Sequence, residues 1–129
     1  ERQLMASHVE KGEQIVKSML SDLQLQSLPD VSVMRNIIAC HHEFMDGSGY
    51  PNHLRGSEVP VEARIVTVAD IFDALTSDRP YKTAWSISRA AEELDRMAGV
   101  GKLDATCVQA IHSCRAEVEH INSRFRDEI

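Results

Sequence analysis

One run of eleven residues, His41-His42-Glu43-Phe44-Met45-Asp46-Gly47-Ser48-Gly49-Tyr50-Pro51, sets two adjacent imidazoles directly ahead of a glycine-rich turn. Neutral imidazole is the commonest protein ligand for metal ions such as zinc, iron or manganese. Two in succession at a helix end can reach two faces of one metal, or two different metals. Gly47 and Gly49 open backbone conformations that are closed to other residues, and Pro51 fixes the chain just after Tyr50. Two further residues suit the same centre. His8 lies on a helical stripe, and Asp70 follows Val68-Ala69 on an otherwise apolar helix, where a carboxylate is expensive to bury without a metal or a hydrogen-bond partner. A shell of His8, His41, His42 and Asp70 suits manganese, iron or zinc better than calcium, and leaves positions open for water or a phosphate oxygen. Each residue also has a plainer reading: His8 as a hydrogen-bonded core histidine, Asp70 as a partner of its own backbone or of Arg64. His53, His112 and His120 lack such company. Cys40 abuts His41, but with Cys107 and Cys114 it reads as a small buried hydrophobe.

The elements that must position these residues are helices. Leu4, Met5, His8, Val9, Gly12, Ile15, Val16, Met19 and Leu20 recur at the three- and four-residue steps of a helix with one buried face. Gln24 to Asp30, with Pro29, reads as a connector, and Val31 to His42 resumes the helical pattern and ends at the histidines. Met45 to Pro60, rich in glycine and proline, predicts a long ordered loop without regular structure. Val61 to Leu75 contains a strand-like Ile65-Val66-Thr67-Val68, yet Val61, Ile65, Val68, Ala69, Phe72 and Leu75 keep helical spacing. Thr76 to Trp85 breaks that helix. Ser86 to Met97 forms another, with Ser86 or Ser88 as its cap, and Gly99-Val100-Gly101 stops it. Asp104 caps a last helix running from Ala105 towards Phe125. The expected fold is an all-α helical bundle forming one partial domain over 1–129, with its core in 1–112 and the end of the last helix and a solvated tail in 113–129.

Composition narrows the function classes. A net charge of −6 disfavours a surface for polymeric nucleic acid, while a small phosphorylated ligand stays open because local cations and metals override the global field. The longest apolar runs fall far short of the roughly 20 residues of a bilayer span, so no direct membrane insertion is expected. The short apolar runs, with no charged-then-apolar leader before them, predict a cytoplasmic protein. The three cysteines contain no CxxC pair and are odd in number, which argues against a secreted disulfide framework. Starting at Glu1 inside a helical pattern, the sequence reads as a piece of something longer.

The run HHEFMDGSGYP resembles the HHE-x-x-DG-x-GYP signature of the HD-GYP domains, a branch of the HD-type metal-dependent phosphohydrolases, with Gly49, Tyr50 and Pro51 as the name-giving triplet. His8-Val9-Glu10-Lys11-Gly12 is similar to the family's His-x-x-x-Gly step. The segment from Ala63 through Asp70 to Arg79-Pro80-Tyr81-Lys82 is similar to the family's segment downstream of the signature, so the likeness extends over roughly residues 1–112. The resemblance implies an HD-domain fold and hydrolysis of cyclic di-GMP to pGpG, to GMP, or to both. It makes His8, His41, His42 and Asp70 metal ligands, in a complete centre of two or three divalent transition metal ions, with iron or manganese foremost and zinc admitted. Arg79 and Lys82 become phosphate contacts, a role suited to an Arg fork and a Lys point charge beside a metal; their alternative is a turn pairing with Asp78 or Asp73. Tyr50 becomes a substrate contact that stacks or hydrogen-bonds, on a loop formed by Asp46, Gly47, Gly49, Tyr50 and Pro51. The family also implies GGDEF-domain partners and an upstream sensor or receiver domain.

One departure limits the carry-over. The family's His-Asp dipeptide, whose Asp bridges two metals, occurs nowhere in the 129 residues. Two close cations need an anionic bridge. The expectation is therefore a portion of a phosphodiesterase that is inactive or nearly so by itself and holds part of the metal centre or none. The alternative is a degenerate, non-catalytic module that binds a nucleotide or a GGDEF-type partner.

Overall fold

The computed structural model describes residues 2–23, 29–78 and 80–127, with side chains left aside at 2–8, 29 and 125–127. Its architecture is all-α, with no strand among the described residues. The helices are α1 (Arg2–Asp22), α2 (Pro29–Cys40), α3 (Val61–Thr76), α4 (Ile87–Gly99), α5 (Ala105–Ser113) and α6 (Arg115–Asp127). They fall into two compact units, Glu1–Thr67 and Val68–Ile129, with the dividing point inside α3.

In the first unit α1 packs against α2. Of the expected stripe, Val9 and Leu20 are buried, whereas Ile15 (51% exposed) and Met19 are exposed; the side chains of Leu4, Met5 and His8 lie outside the described residues. α2 begins two residues earlier than expected. A proline in the first turn of a helix loses no hydrogen bond, because its missing N–H would have had no partner there, and Asp30 adds a negative charge at the positive end of the helix dipole. The rest of the expected connector, 24–28, lies outside the described residues. α2 also ends earlier, at Cys40, which leaves His41 and His42 in the turn after it. The loop expectation is met except for one 3-10 turn, Gly56–Glu58, where the Glu58 carboxylate accepts the Arg55 N–H at 2.8 Å. A small core of Cys40, Val59 and Ala63 lies beneath the loop, with Ala39, Met45 and Leu54 packed on it.

In the second unit α4 packs on α5, and Ala90, Ala91 and Leu94 of α4 and Val108 of α5 are buried. Ser86 caps α4, its Oγ accepting the Arg89 N–H at 3.1 Å. Asp104 caps α5 by accepting the Thr106 and Cys107 N–H groups at 2.8 and 3.3 Å. The single last helix expected from Ala105 is in fact two. Cys114 leaves the helical region (φ −106°, ψ 25°) and separates α5 from α6. The apolar spacing Val108, Ile111, Val118, Ile121 runs through the break at helical intervals, so periodicity carries no sign of a one-residue interruption.

On α3 the buried residues are Ala63, Thr67, Val68, Phe72 and Thr76, whereas Val61 and Ile65 are more than half exposed. The covered face is thus rotated from the expected one, and Asp70 is exposed. Its carboxylate therefore needs no metal to offset burial, and only the resemblance supports its ligand role. No helix of the described residues is long and apolar enough to cross a membrane.

Candidate metal and loop site

The double histidine leaves α2 through a tight turn. The His41 N–H still bonds Ile37 O, and the Glu43 N–H bonds Cys40 O, each at 3.0 Å. This turn brings the two imidazoles side by side, their centroids 4.1 Å apart and their planes tilted by 41°. His41 Nδ1 lies 2.8 Å from Ile37 O, a contact that requires the proton on Nδ1 and leaves the Nε2 lone pair for a ligand. Thr67 steadies the same turn from α3. Its hydroxyl lies 2.8 Å from His41 O and 2.8 Å from Ala63 O, and so links the first histidine to the adjoining helix.

The loop folds back onto this turn. Tyr50 N–H donates to His42 O at 3.1 Å, and the Tyr50 ring stacks on the His42 imidazole at 5.0 Å with the planes 17° apart. Gly49 makes the approach possible. A Cβ at that position would lie 2.5 Å from both Glu43 Cα and His42 O, and closer still to Phe44 N. Gly47 has φ +84°, a left-handed conformation suited to glycine. Asp46 accepts the Ser48 N–H at 2.9 Å and the Ser48 hydroxyl at 2.6 Å, and pairs in an isolated antiparallel bridge with Arg55. The Tyr50–Pro51 peptide is cis. The return limb is held by Glu43, whose side chain is 2% exposed and whose two oxygens accept the N–H groups of Asn52 at 2.8 Å and Leu54 at 2.9 Å.

His41, His42, Asp46, Gly47, Gly49, Tyr50 and Pro51 thus form one assembly in the first unit. Asp70 and Lys82 belong to the second unit. The side chain of His8 and the whole of Arg79 lie outside the described residues. The Lys82 ammonium donates to Ala74 O and Leu75 O, at 2.9 and 3.0 Å, and so closes the C-terminal end of α3. It pairs with neither Asp73 nor Asp78. Asp78 instead accepts the Ala84 N–H at 2.7 Å. Among the described residues no three His, Cys, Asp or Glu side chains gather around one point suited to a metal. As donors, the two imidazoles still fit a metal, with His41 presenting a free ring nitrogen, but they account for only part of a ligand shell. Two contributors escape the sequence reading, Glu43 and Thr67. Glu43 stands within the motif, an acidic residue between His42 and Phe44-Met45. Thr67 gives no signal beyond being a polar residue in an apolar run.

The profile of the HD domain family matches residues 1–107. The chain belongs to the HD-domain family. Its HHEFMDGSGYP run makes it a member of the HD-GYP branch. This HD-GYP chain is 52% identical over 86 residues, 66% of its length and 22% of the relative's, to the cyclic di-GMP phosphodiesterase response regulator RpfG of Xanthomonas campestris pv. campestris. It is 41% identical over 96 residues, 74% of its length and 17% of the relative's, to 3'3'-cGAMP-specific phosphodiesterase 2 of Vibrio cholerae. It is 36% identical over 107 residues, 82% of its length and 28% of the relative's, to a cyclic di-GMP phosphodiesterase of Thermotoga maritima. The HD-GYP chain spans less than a third of the length of each of these curated relatives.

Proposed function

We propose that the chain is the loop-bearing portion of a metal-dependent phosphodiesterase that opens cyclic di-GMP to pGpG, GMP or both. The observation that carries this reading is the double histidine, with one imidazole oriented by Ile37 O and the other stacked under Tyr50 of the Gly-Tyr-Pro loop. The relatives' names support a cyclic dinucleotide as substrate. In this reading His8, His41, His42 and Asp70 are the ligands this chain contributes. A bound iron, manganese or zinc ion would supply Lewis-acid polarisation of the phosphoryl group and an activated water. The chain's own residues do the positioning. The Ile37 carbonyl fixes the His41 ring, Tyr50 holds the plane of His42, and Lys82 and Arg79 provide the cations for the diester. A GGDEF-domain partner, an upstream sensor or receiver domain and a cytoplasmic site of action go with the reading.

The second reading is a non-catalytic HD-GYP module that binds a nucleotide or a partner protein. The test compares this chain with a longer polypeptide carrying a His-Asp dipeptide upstream. Metal content is measured by mass spectrometry, and conversion of cyclic di-GMP and 3'3'-cGAMP by chromatography. Metal-dependent turnover by the longer protein, with little or none by this chain, is expected. Turnover that survives complete metal removal would sink the metal assignment. Metal uptake without turnover in either protein would establish the binding module instead.

A further inference from the structure

We infer that Glu43 is a positioning residue, whose buried carboxylate clamps the return limb of the loop and thereby seats Tyr50 over His42. Glutamate is almost never fully buried without a partner. Here the side chain is 2% exposed, and among the described residues no Lys or Arg pairs with it. Its partners are the N–H groups of Asn52 and Leu54, one on each carboxylate oxygen. Filling space does not explain this choice. The neighbouring cluster of Cys40, Met45, Leu54, Val59 and Ala63 is apolar, and a leucine would occupy the volume at a lower desolvation penalty. A leucine, however, would leave two N–H groups without acceptors, and a buried donor left unpaired is strongly unfavourable.

The two bonds also bracket a strained residue. His53, between the two donors, has φ +54°, an uncommon conformation for a residue with a side chain, which persists where flanking contacts over-determine it. On the other limb Tyr50 N–H bonds His42 O, and Gly49 lies against the 42–44 backbone. Both limbs of the loop are therefore tied to the same two residues, His42 and Glu43. With both ties made, the Tyr50 ring lies against the His42 imidazole. Glu43 thus acts through Tyr50 on the ring orientation of His42. The importance of that orientation to catalysis rests on the phosphodiesterase reading, but the clamp itself does not.

The test uses the whole chain, isotope-labelled for NMR, with Glu43→Gln, Tyr50→Leu and both together. Gln keeps the shape but turns an amide NH2 towards one of the two backbone donors. If Glu43 works through Tyr50, the ring-current displacement of the His42 ring signals is lost to the same extent in all three variants, while the Ala63 methyl signal stays in place. Unchanged His42 signals in Glu43→Gln, or displacements in the double variant equal to the sum of the two singles, overturn the inference. Should Glu43→Gln fail to fold, amide exchange in the unsubstituted protein decides. Protected Asn52 and Leu54 amides sustain the clamp; exchange at the rate of a free peptide refutes it. None of these readouts is turnover or metal content, so a failure of the phosphodiesterase reading leaves the outcome intact.

Discussion

Replacing Gly49 with alanine puts a methyl group where the backbone of residues 42–44 already is. The new Cβ would lie 2.5 Å from Glu43 Cα and His42 O, roughly 0.9 Å inside ordinary contact, and closer still to Phe44 N. All three obstacles are main-chain atoms, so no side chain can swing aside. The chain has two ways to respond. Local strain of the kind seen in over-packed cores costs about 1–3 kcal/mol. Alternatively the loop lifts, losing the Tyr50 N–H bond to His42 O, about 0.5–1.5 kcal/mol, and the two charge-assisted bonds of Glu43, about 1.5–3 kcal/mol each. The second route is the dearer, so strain sets the expected loss at about 3 kcal/mol, or roughly 10 °C in Tm. Gly12→Ala is the control, because nothing lies within 4 Å of a Cβ there and the site is in the interior of α1. That variant should gain about 0.5–1 kcal/mol from helix propensity. Urea denaturation followed by circular dichroism measures both, and NMR contacts between Tyr50 and His42 report the loop. A Gly49→Ala protein within about 0.5 kcal/mol of the unsubstituted one, still holding Tyr50 on His42, would refute the close approach as the reason for glycine.

Thr67→Val preserves shape but removes the hydroxyl beside His41 O and Ala63 O; a loss of about 1 kcal/mol is expected in denaturant midpoints, and no loss would show the hydroxyl to be idle. The Asn36 amide, donating to Glu62 at 2.7 Å, holds the Glu62 carboxyl below its ordinary range. A depressed folded-state pKa adds stability that is present above the unfolded carboxyl value and lost as pH falls through the folded one. Asn36→Ala should therefore raise the Glu62 titration midpoint and destabilise more at neutral pH than in acid. An unmoved midpoint by NMR contradicts that linkage. Alkylation mapped by mass spectrometry should label exposed Cys114 first and Cys40 last, since Cys40 is buried and burial, then the charge of Glu43, pushes its thiol upward. Equal rates at the two sites would mean that the Cys40 cover opens freely.

The parts of this fold that sequence periodicity reveals are those whose information repeats. α1 to α4 are visible because apolar residues recur at helical steps over a dozen positions or more, and a misplaced residue or two cannot hide the pattern. Single-residue events lack that redundancy. Pro29 signals a break wherever it stands, yet at the start of α2 it is compatible with helix. Cys114 interrupts an apolar spacing that continues on both sides, so nothing marks it. The face of α3 shows a further limit. Periodicity finds a stripe, but small residues such as Ala63 and Thr67 fill the tightest contacts, while the larger Val61 and Ile65 remain exposed.

Donor types make His41, His42 and the loop stand out in the sequence, and they pass over Glu43. A metal-ligand reading looks for side chains that face a ligand, whereas Glu43 faces its own backbone nine and eleven residues on. Bonds at that separation have no periodicity to betray them. A physical rule can still find it. Irregular backbone packed against a core must have every N–H accepted by something, and helix or sheet cannot supply the acceptors in a loop rich in glycine and proline. The acceptors must then be side chains, and within an apolar stretch a carboxylate is the strongest on offer. Glu43, between the double histidine and the apolar Phe44-Met45 and standing at the root of such a loop, meets that description from sequence alone. Where a double histidine runs into a glycine-rich turn, the acidic residue beside it is therefore to be tested as an acceptor for the loop's own amides before it is counted among the metal's ligands.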